Sequence, residues 1–454
     1  MEALNFLIWP FLACLLLILI HAYFGIHILQ RGIIFVDLAL AQFIGIGIAL
    51  SFVFGEEKGL LFSILFAFLG AFVLAFSKKT SRHVNVEAFI GVIYIFSISA
   101  AILILDRSPH GMEEFKTILN GNIIWVTPKD ILSTAIVYSA VGALHFFLRK
   151  QFHALTFEGK GNFLLEFLFF ASFAVVLVKS VHIAGILQVF SFLVIPALIG
   201  RLFFRQQSTI LMVGWLVGVL VSVLGIFLSY RLDLPTAPLI VAGLALIFFV
   251  LLACKVVFQK RNELLSQEIT MKKIFFGLLV LICAALLSAC QMREAQAPAE
   301  KKLTVITTLF PLYDFARAIG GDRADVTLLL PPGIEPHSFE PKPADVMKVN
   351  RADIFVFTNE YMEPWAKSFL NVLPANNITV VDTSKGVTLQ KGAPEEEHEG
   401  EHGDDHHHHG GMDPHIWLDF ANAQIMVDNI LSAMVAKDPA NKDYYTTRAA
   451  AYKA

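Results

Sequence analysis

Charged residues and cysteines are scarce in this 454-residue chain. Asp, Glu, Lys and Arg make up 16% of it, against about 25% in a typical soluble domain, so the chain as a whole is unlike a soluble protein. The formal net charge is −3, which gives no indication of nucleic-acid binding. Cys14, Cys254, Cys283 and Cys290 are the four cysteines, and none forms a CxxC pair. Neither a disulfide framework nor a cysteine-rich zinc site is therefore expected.

Two motifs that would indicate an enzyme are also missing from the sequence. No GxxxxGK[ST] phosphate-binding loop occurs in the chain, so ATP-driven work would need a separate ATPase subunit. No HExxH or other paired-histidine motif lies within an apolar run, which argues against an intramembrane metalloprotease. The sequence thus predicts a protein that is not itself an enzyme.

Long apolar runs occupy the chain up to about residue 260. Hydrophobic residues make up 56% of the chain, and its mean hydropathy is +0.65. A membrane-spanning helix needs about 20 mainly apolar residues. Nine runs come close to that length: 6–28, 33–54, 60–77, 88–105, 130–148, 163–180, 184–200, 209–230 and 236–256. Lys and Arg number twelve on one side of this arrangement and six on the other, which predicts an outer N terminus and an inner end for this region.

The ionisable residues in or beside these runs include Asp37, Glu87, His182 and Asp233. A charge at the bilayer centre costs about 2.5–3.5 kcal/mol, so such groups usually face a bundle interior or a water path. Carboxylates and imidazoles also bind divalent metal ions. We predict that the four lie along a translocation path for a metal ion, with interfacial caps and satisfied bundle polars as the alternative. His21 and His27, in the first run, are interpreted as packing or interfacial residues.

The segment 271–290 has the pattern of a lipoprotein export signal. Met271 and two lysines precede an apolar run over 274–287, which ends in Leu-Ser-Ala-Cys290. This pattern predicts lipidation at Cys290 and places the residues after it outside the cytoplasm; a tenth membrane helix is the alternative. A start-like methionine in mid-chain also indicates two neighbouring reading frames joined into one.

Beyond about residue 302 the pattern changes to alternating strands and helices. Four strands are predicted, over 303–309, 325–330, 354–358 and 378–381. Three helices are predicted between them, over 312–319, 344–350 and 363–372. This alternation predicts a parallel α/β sheet, and ligands of such sheets bind beyond the carboxyl ends of the strands.

Two histidines lie in predicted loops, where ligands of a parallel α/β sheet bind. His337 follows the second predicted strand, and His415 lies in Asp-Pro-His-Ile-Trp. Both are next to prolines, which stiffen the backbone, and imidazole is a favoured zinc ligand. A histidine- and acid-rich tract over 395–409 should remain mobile and gather metal weakly, with a solvated loop or a tag as the alternatives. Its histidines are His398, His402, His406, His407, His408 and His409.

Residues 1–260 resemble the permeases of the zinc/manganese family of ABC transporters along nearly their whole length. The resemblance is carried by Phe35–Gln42 with Gly45 and Gly47, Glu87–Gly91, Leu119–Gly121, Phe192–Ala197 and Asp233–Pro238. It implies a lipid-embedded permease that pairs with a second copy and with an ABC ATPase, docked on the 149–161 or the 201–208 loop. The chain departs from the family pattern at Leu40-Ala41, where many members have Ser-His, and at Ala237, where glycine is more common.

Residues 303–454 resemble the front half of the zinc/manganese solute-binding lipoproteins, of the cluster A-I type. The resemblance is carried by Leu330–Pro341, Thr358–Trp365 and Asp413–Trp417. It implies that His337 and His415 are metal ligands and that the remaining ligands belong to a second lobe. That lobe is absent from the sequence, so we expect a truncated, half-built site that binds metal weakly.

These observations predict a mixed architecture: a membrane permease over 1–260, a linker with a lipoprotein signal over 261–301, and an incomplete metal-binding lobe over 302–454. The predicted function is a component of an ATP-driven zinc uptake system in a bacterial cell membrane. Zinc is favoured over manganese or iron because the sites are rich in imidazole. A membrane metal sensor or metallochaperone without transport is the alternative of a different class.

Overall fold

The structure is a computed structural model, in which the chain divides into two units, Met1–Arg293 and Glu294–Ala454, each considered by itself. The described residues are 2–54, 58–76, 85–105, 118–121, 123–261, 302–331, 333–337, 339, 341–372, 378–390 and 412–454. The predicted lipoprotein signal with Cys290 and the histidine-rich tract lie outside them.

Helices make up the described part of the first unit, as expected for apolar segments that must satisfy their backbone groups internally in lipid. They are α1 Glu2–Arg31, α2 Val36–Phe54, α3 Gly59–Ala75, α4 Val86–Leu105, α5 Pro128–Phe147, α6 Arg149–Phe157, α7 Phe163–Phe203, α8 Gln207–Leu232 and α9 Thr236–Arg261. Six described helices are long and apolar enough to cross a membrane, and α2 and α3 are shorter apolar helices. The α7 helix is the most buried of the six.

The long helix α7 doubles back on itself at Gly185. That residue has φ 70° and ψ 167°, which is not helical. Near the start of α7, Glu166 forms an ion pair with Arg31 at the end of α1. Near the end of α7, Arg201 donates a hydrogen bond to Gln30 Oε1 (2.9 Å), in the same turn of α1. Residues 35 apart in a straight helix would be separated by about 52 Å. The two halves of α7 are therefore antiparallel and match the two runs predicted over 163–180 and 184–200.

A close backbone contact is made at this reversal. Gly121 (φ 61°) lies against Gly185, and a Cβ on Gly121 would be 2.1 Å from the carbonyl carbon of Ala184. A Cβ on Gly185 would be 2.2 Å from the amide nitrogen of Gly121. Both the left-handed φ and the close approach require glycine at these two positions.

A short helix, α6, occupies a segment that the sequence predicted only as a loop, and that prediction was wrong for residues 149–157. Phe152, Leu155 and Thr156 are buried, whereas Arg149 and His153 are exposed. The spacing of the buried positions places them on one helix face, so α6 packs on the bundle and presents its basic face outward.

The second unit is built on a four-stranded parallel sheet, as predicted, with the strand order β2-β1-β3-β4. Its strands are β1 Leu303–Thr307, β2 Ala324–Leu328, β3 Ile354–Phe357 and β4 Thr379–Asp382. Its helices are α10 Phe310–Gly320, α11 Pro343–Asn350, α12 Ala366–Val372, α13 Phe420–Lys437 and α14 Lys442–Lys453. The sheet is central, since every residue of β3 is buried.

One predicted helix boundary was wrong in this unit. The helix predicted over 363–372 begins at Ala366. Glu363 instead belongs to the preceding turn, where its carboxylate accepts hydrogen bonds from the amides of Thr358 and Asn359 at the end of β3.

Candidate metal centre

The two predicted metal ligands of the second unit converge on one cavity. His337 lies on the loop after β2, and His415 lies just before a 3₁₀ turn, Ile416–Leu418. Their ring centroids are 6.3 Å apart, with an interplanar angle of 80°. Two imidazoles on one tetrahedral zinc ion would have centroids roughly 5 to 6 Å apart. The two rings are therefore close to the separation that a shared metal ion requires.

The cavity has a volume of about 460 Å³ and lies at the carboxyl ends of the strands. Residues just after β1 and β2, Leu309 and Leu330, line it together with Met362 and Trp417. Glu335 also lines the cavity, as the one ionisable residue besides the two histidines among the described lining residues. The site is thus an apolar cleft with a few convergent polar groups, which is typical of a small-ligand site.

A carboxylate orients the His415 ring. The Nδ1–H of His415 donates to Asp413 Oδ1 over 2.9 Å, and the backbone N–H of His415 donates to the same oxygen over 3.0 Å. A histidine that donates through Nδ1 keeps the lone pair of Nε2 for a ligand. Asp413 therefore fixes the tautomer that can bind a metal ion.

The loop that carries His337 is fixed at two points. The backbone N–H of His337 donates to Glu335 Oε1 (3.1 Å), and Trp365 Nε1 donates to the carbonyl oxygen of Pro336 (2.9 Å). The His337 side chain is only 10% exposed. The position of this predicted ligand is thus fixed by the loop, which would lower the entropic cost of binding an ion.

Glu363 joins the ends of two strands beneath the cavity. This fully buried side chain accepts hydrogen bonds from Thr308 Oγ1, just after β1, and from the Thr358 amide, just after β3. Burial raises the pKa of Glu363 to about 7. The contact holds the carboxyl ends of β1 and β3 at a fixed spacing.

Within the described part of the chain, no three His, Cys, Asp or Glu side chains form a group that could hold a metal ion. The described residues of the lobe thus offer two imidazoles at the cavity, which is half of a tetrahedral set.

The four polar residues predicted along the membrane path lie in different settings. Asp37 is fully buried in the first turn of α2, and Glu87 is half-buried in the first turn of α4. Glu87 Oε1 accepts from the backbone N–H of Phe35 (3.3 Å), so this carboxylate lies at the start of α2. His182 is exposed, three residues before the reversal of α7. Asp233 is half-buried and ends α8 with φ 53°.

Asp37 differs from the other three. Neither of its carboxylate oxygens has a hydrogen-bond partner among the described residues, although the side chain is 0% exposed. A buried carboxylate without partners is costly and is therefore usually functional in a membrane segment.

The membrane unit matches a known family. The model of the ABC 3 transport family covers residues 3–255, more than half of the chain. The chain belongs to the ABC 3 transport family. Residues 305–454 match the family described as "Zinc-uptake complex component A periplasmic". This ABC 3 protein therefore carries a permease region at its N-terminal end and a solute-binding domain at its C-terminal end.

Individual relatives match the solute-binding region. The chain is 41% identical over 186 residues to the "High-affinity zinc uptake system protein ZnuA" of Bacillus subtilis, covering 40% of this chain and 58% of the relative. It is 38% identical over 182 residues to the "Zinc-binding lipoprotein AdcA" of Streptococcus pneumoniae, covering 40% and 35%. The crystal structure of the Zn(II)-bound ZnuA-like domain of that AdcA is 33% identical, with a TM-score of 0.29, covering 34% of this chain and 51% of that one. The chain thus spans between about a third and three fifths of the lengths of these relatives.

Several polar residues of this ABC 3 protein had no predicted role. His145 and Thr156 are buried and contact side chains more than 20 positions away, and Asp413 orients His415. The Asp-x-His spacing of Asp413 could have been recognised in the sequence. The partners of His145 and Thr156 are too distant along the chain for any local pattern to reveal.

Proposed function

We propose that this ABC 3 protein is a component of an ATP-driven uptake system for zinc, with a lobe that captures the ion and a permease that passes it through the membrane. The observation that carries the proposal is the convergence of His337 and His415 on one cavity at the carboxyl ends of the parallel strands. Imidazoles held in fixed positions on these loops bind a borderline divalent cation such as zinc better than a hard cation that prefers oxygen ligands.

Zinc is favoured over manganese for two reasons. Among the described residues, the cavity lining supplies two imidazoles and one carboxylate, and manganese prefers oxygen ligands. In addition, the curated relatives described above are zinc-uptake or zinc-binding proteins by name. Uptake of manganese or iron by the same kind of system is the alternative.

In the proposed capture step, His337 and His415 bind zinc, and the histidines of 398–409 raise the local zinc concentration. Two imidazoles provide half of a tetrahedral set, so we expect weak binding by residues 302–454 alone. Lipidation at Cys290 would hold this lobe, over 302–454, at the outer face of the membrane.

In the proposed transfer step, the permease over 1–260 crosses the membrane nine times, because α7 supplies two crossings beside α1–α5, α8 and α9. Asp37 lies on the path and binds the ion transiently, with Glu87, His182 and Asp233 as further polar groups along it. The permease works as a pair of copies in the lipid.

The ATPase docks on α6 in this proposal. The exposed face of α6 carries basic side chains and lies at the end of the bundle where Lys and Arg are concentrated. The positive-inside rule assigns that end to the cytoplasm.

Growth under zinc limitation tests the proposal. A bacterial strain that lacks zinc uptake is given the full chain with its ATPase and grown with a chelator. We expect growth to depend on added zinc and not to be restored by manganese or iron. Restoration by manganese alone would favour the alternative metal, and no restoration by any of the three would contradict uptake.

A further inference from the structure

Helix α6 is tied to the last turns of α1 by buried polar contacts. His27 Nδ1 and Thr156 Oγ1 are hydrogen-bonded at 2.7 Å, and both side chains are buried. The ring of His145 stacks on Phe152 of α6 with centroids 4.3 Å apart, and Tyr23 of α1 is hydrogen-bonded to His145 Nδ1 at 3.1 Å. Therefore α6 contacts α1 directly through Thr156 and indirectly through His145.

A second contact joins the segment after α6 to the end of α1. Arg31 forms an ion pair with Glu166 in the first turn of α7, and its guanidinium lies 5.4 and 5.1 Å from the ring centroids of Phe169 and Phe170. The two charged side chains are only 14% and 4% exposed. A buried pair held this way is costly to separate, so α1 and the start of α7 move together.

The end of α1 is in turn connected to Asp37 by a short, hydrogen-bonded turn. Gly32 has φ 64°, the N–H of Ile33 donates to Ile28 O (3.3 Å), and the N–H of Val36 donates to Ile33 O (3.1 Å). Asp37 follows in the first turn of α2. A displacement of the last turn of α1 therefore displaces the carboxylate of Asp37.

We propose that the His27–Thr156 hydrogen bond and the Arg31–Glu166 ion pair are positioning contacts through which an ATPase docked on α6 moves Asp37. The inference rests on the proposed function, because it needs both the docking on α6 and the place of Asp37 on the ion path. None of the four residues binds the ion; they transmit a displacement from α6 to α2.

A loss of coupling is the signature to measure. Membrane vesicles from cells that express the full chain with its ATPase are assayed for ATP-dependent uptake of radioactive zinc and, in parallel, for ATP hydrolysis. In Thr156→Val we expect uptake to fall by about threefold to thirtyfold while hydrolysis stays within about twofold. Thr156→Ser keeps the hydroxyl and is expected to keep wild-type uptake.

Thr134→Val is the matched control, because Thr134 is also buried, in α5, and its hydroxyl has no partner among the described residues. Glu166→Gln provides an independent variant and should show the same separation of uptake from hydrolysis. The inference is overturned if uptake is unchanged in both Thr156→Val and Glu166→Gln, or if uptake and hydrolysis fall in proportion. If the wild-type chain shows no ATP-dependent zinc uptake, the proposed function itself is contradicted.

Discussion

At the scale of the residue, the orientation of each proposed metal ligand depends on the residues that hydrogen-bond to it or to its loop. Asp413 accepts a hydrogen bond from the Nδ1–H of His415, so the Nε2 lone pair proposed to bind metal belongs to a ring whose direction and tautomer are already set. His337 has a different support, since its backbone is held by Glu335 and by the indole of Trp365 through Pro336. The two proposed ligands are therefore oriented by different means.

Replacing Asp413 by asparagine should weaken zinc binding by the lobe about 10- to 100-fold, because the amide no longer enforces the same tautomer. The measurement is competition against a fluorescent chelator, on a full chain in which the histidines of 398–409 are changed to serine. Asp428→Asn, at an exposed carboxylate that pairs with Lys453, serves as the control. Unchanged affinity in Asp413→Asn would show that Asp413 does not orient the ligand.

The buried carboxyl group of Glu363 should make the lobe sensitive to pH. Its pKa is raised to about 7, whereas the unfolded chain releases that proton near pH ~4.3. The stability that this group contributes is therefore greatest below about pH 4.3 and is lost as the pH rises to about 7. After correction for intrinsic exchange, we expect the β1 and β3 amides to be about tenfold or more better protected at pH 5 than at pH 8. Glu363→Gln should flatten that difference, and an equal pH dependence in this variant would exclude Glu363 as the cause.

At the scale of the element, the reversal of α7 depends on two glycines in contact. Gly185→Ala should destabilise the membrane unit strongly, since it adds about 1–3 kcal/mol of backbone strain to a backbone clash. The measurement is the thermal unfolding midpoint of the full chain in detergent. Gly142→Ala is the matched control, because a Cβ there meets nothing within 4 Å. Equal midpoints for the two variants would mean that the reversal tolerates a side chain.

Elements whose signals are local were predictable from the sequence. The strands and the parallel sheet follow from the alternation of β-rich and helical segments after residue 302, and the apolar runs gave the membrane helices to within a few residues. The helix α6 was missed because nine residues with four apolar positions make a weak pattern. Contacts such as His27 with Thr156, which are 129 positions apart, depend on how the helices pack and leave no periodic trace.

At the scale of the whole molecule, one chain carries both a solute-binding region and a permease region. The solute-binding region offers two oriented imidazoles, and the ABC 3 region offers a buried carboxylate without a described partner. Along the proposed route, the ligands of the ion would therefore change from imidazole to carboxylate.

The most direct test of this account is the initial rate of radioactive zinc uptake by cells that carry the full chain with His337→Ala and His415→Ala together. At limiting zinc we predict a rate at least about tenfold below that of the wild-type chain. The exposed surface variant Gln424→Ala should retain the wild-type rate. An undiminished rate in the double variant would contradict the claim that these paired imidazoles deliver the ion.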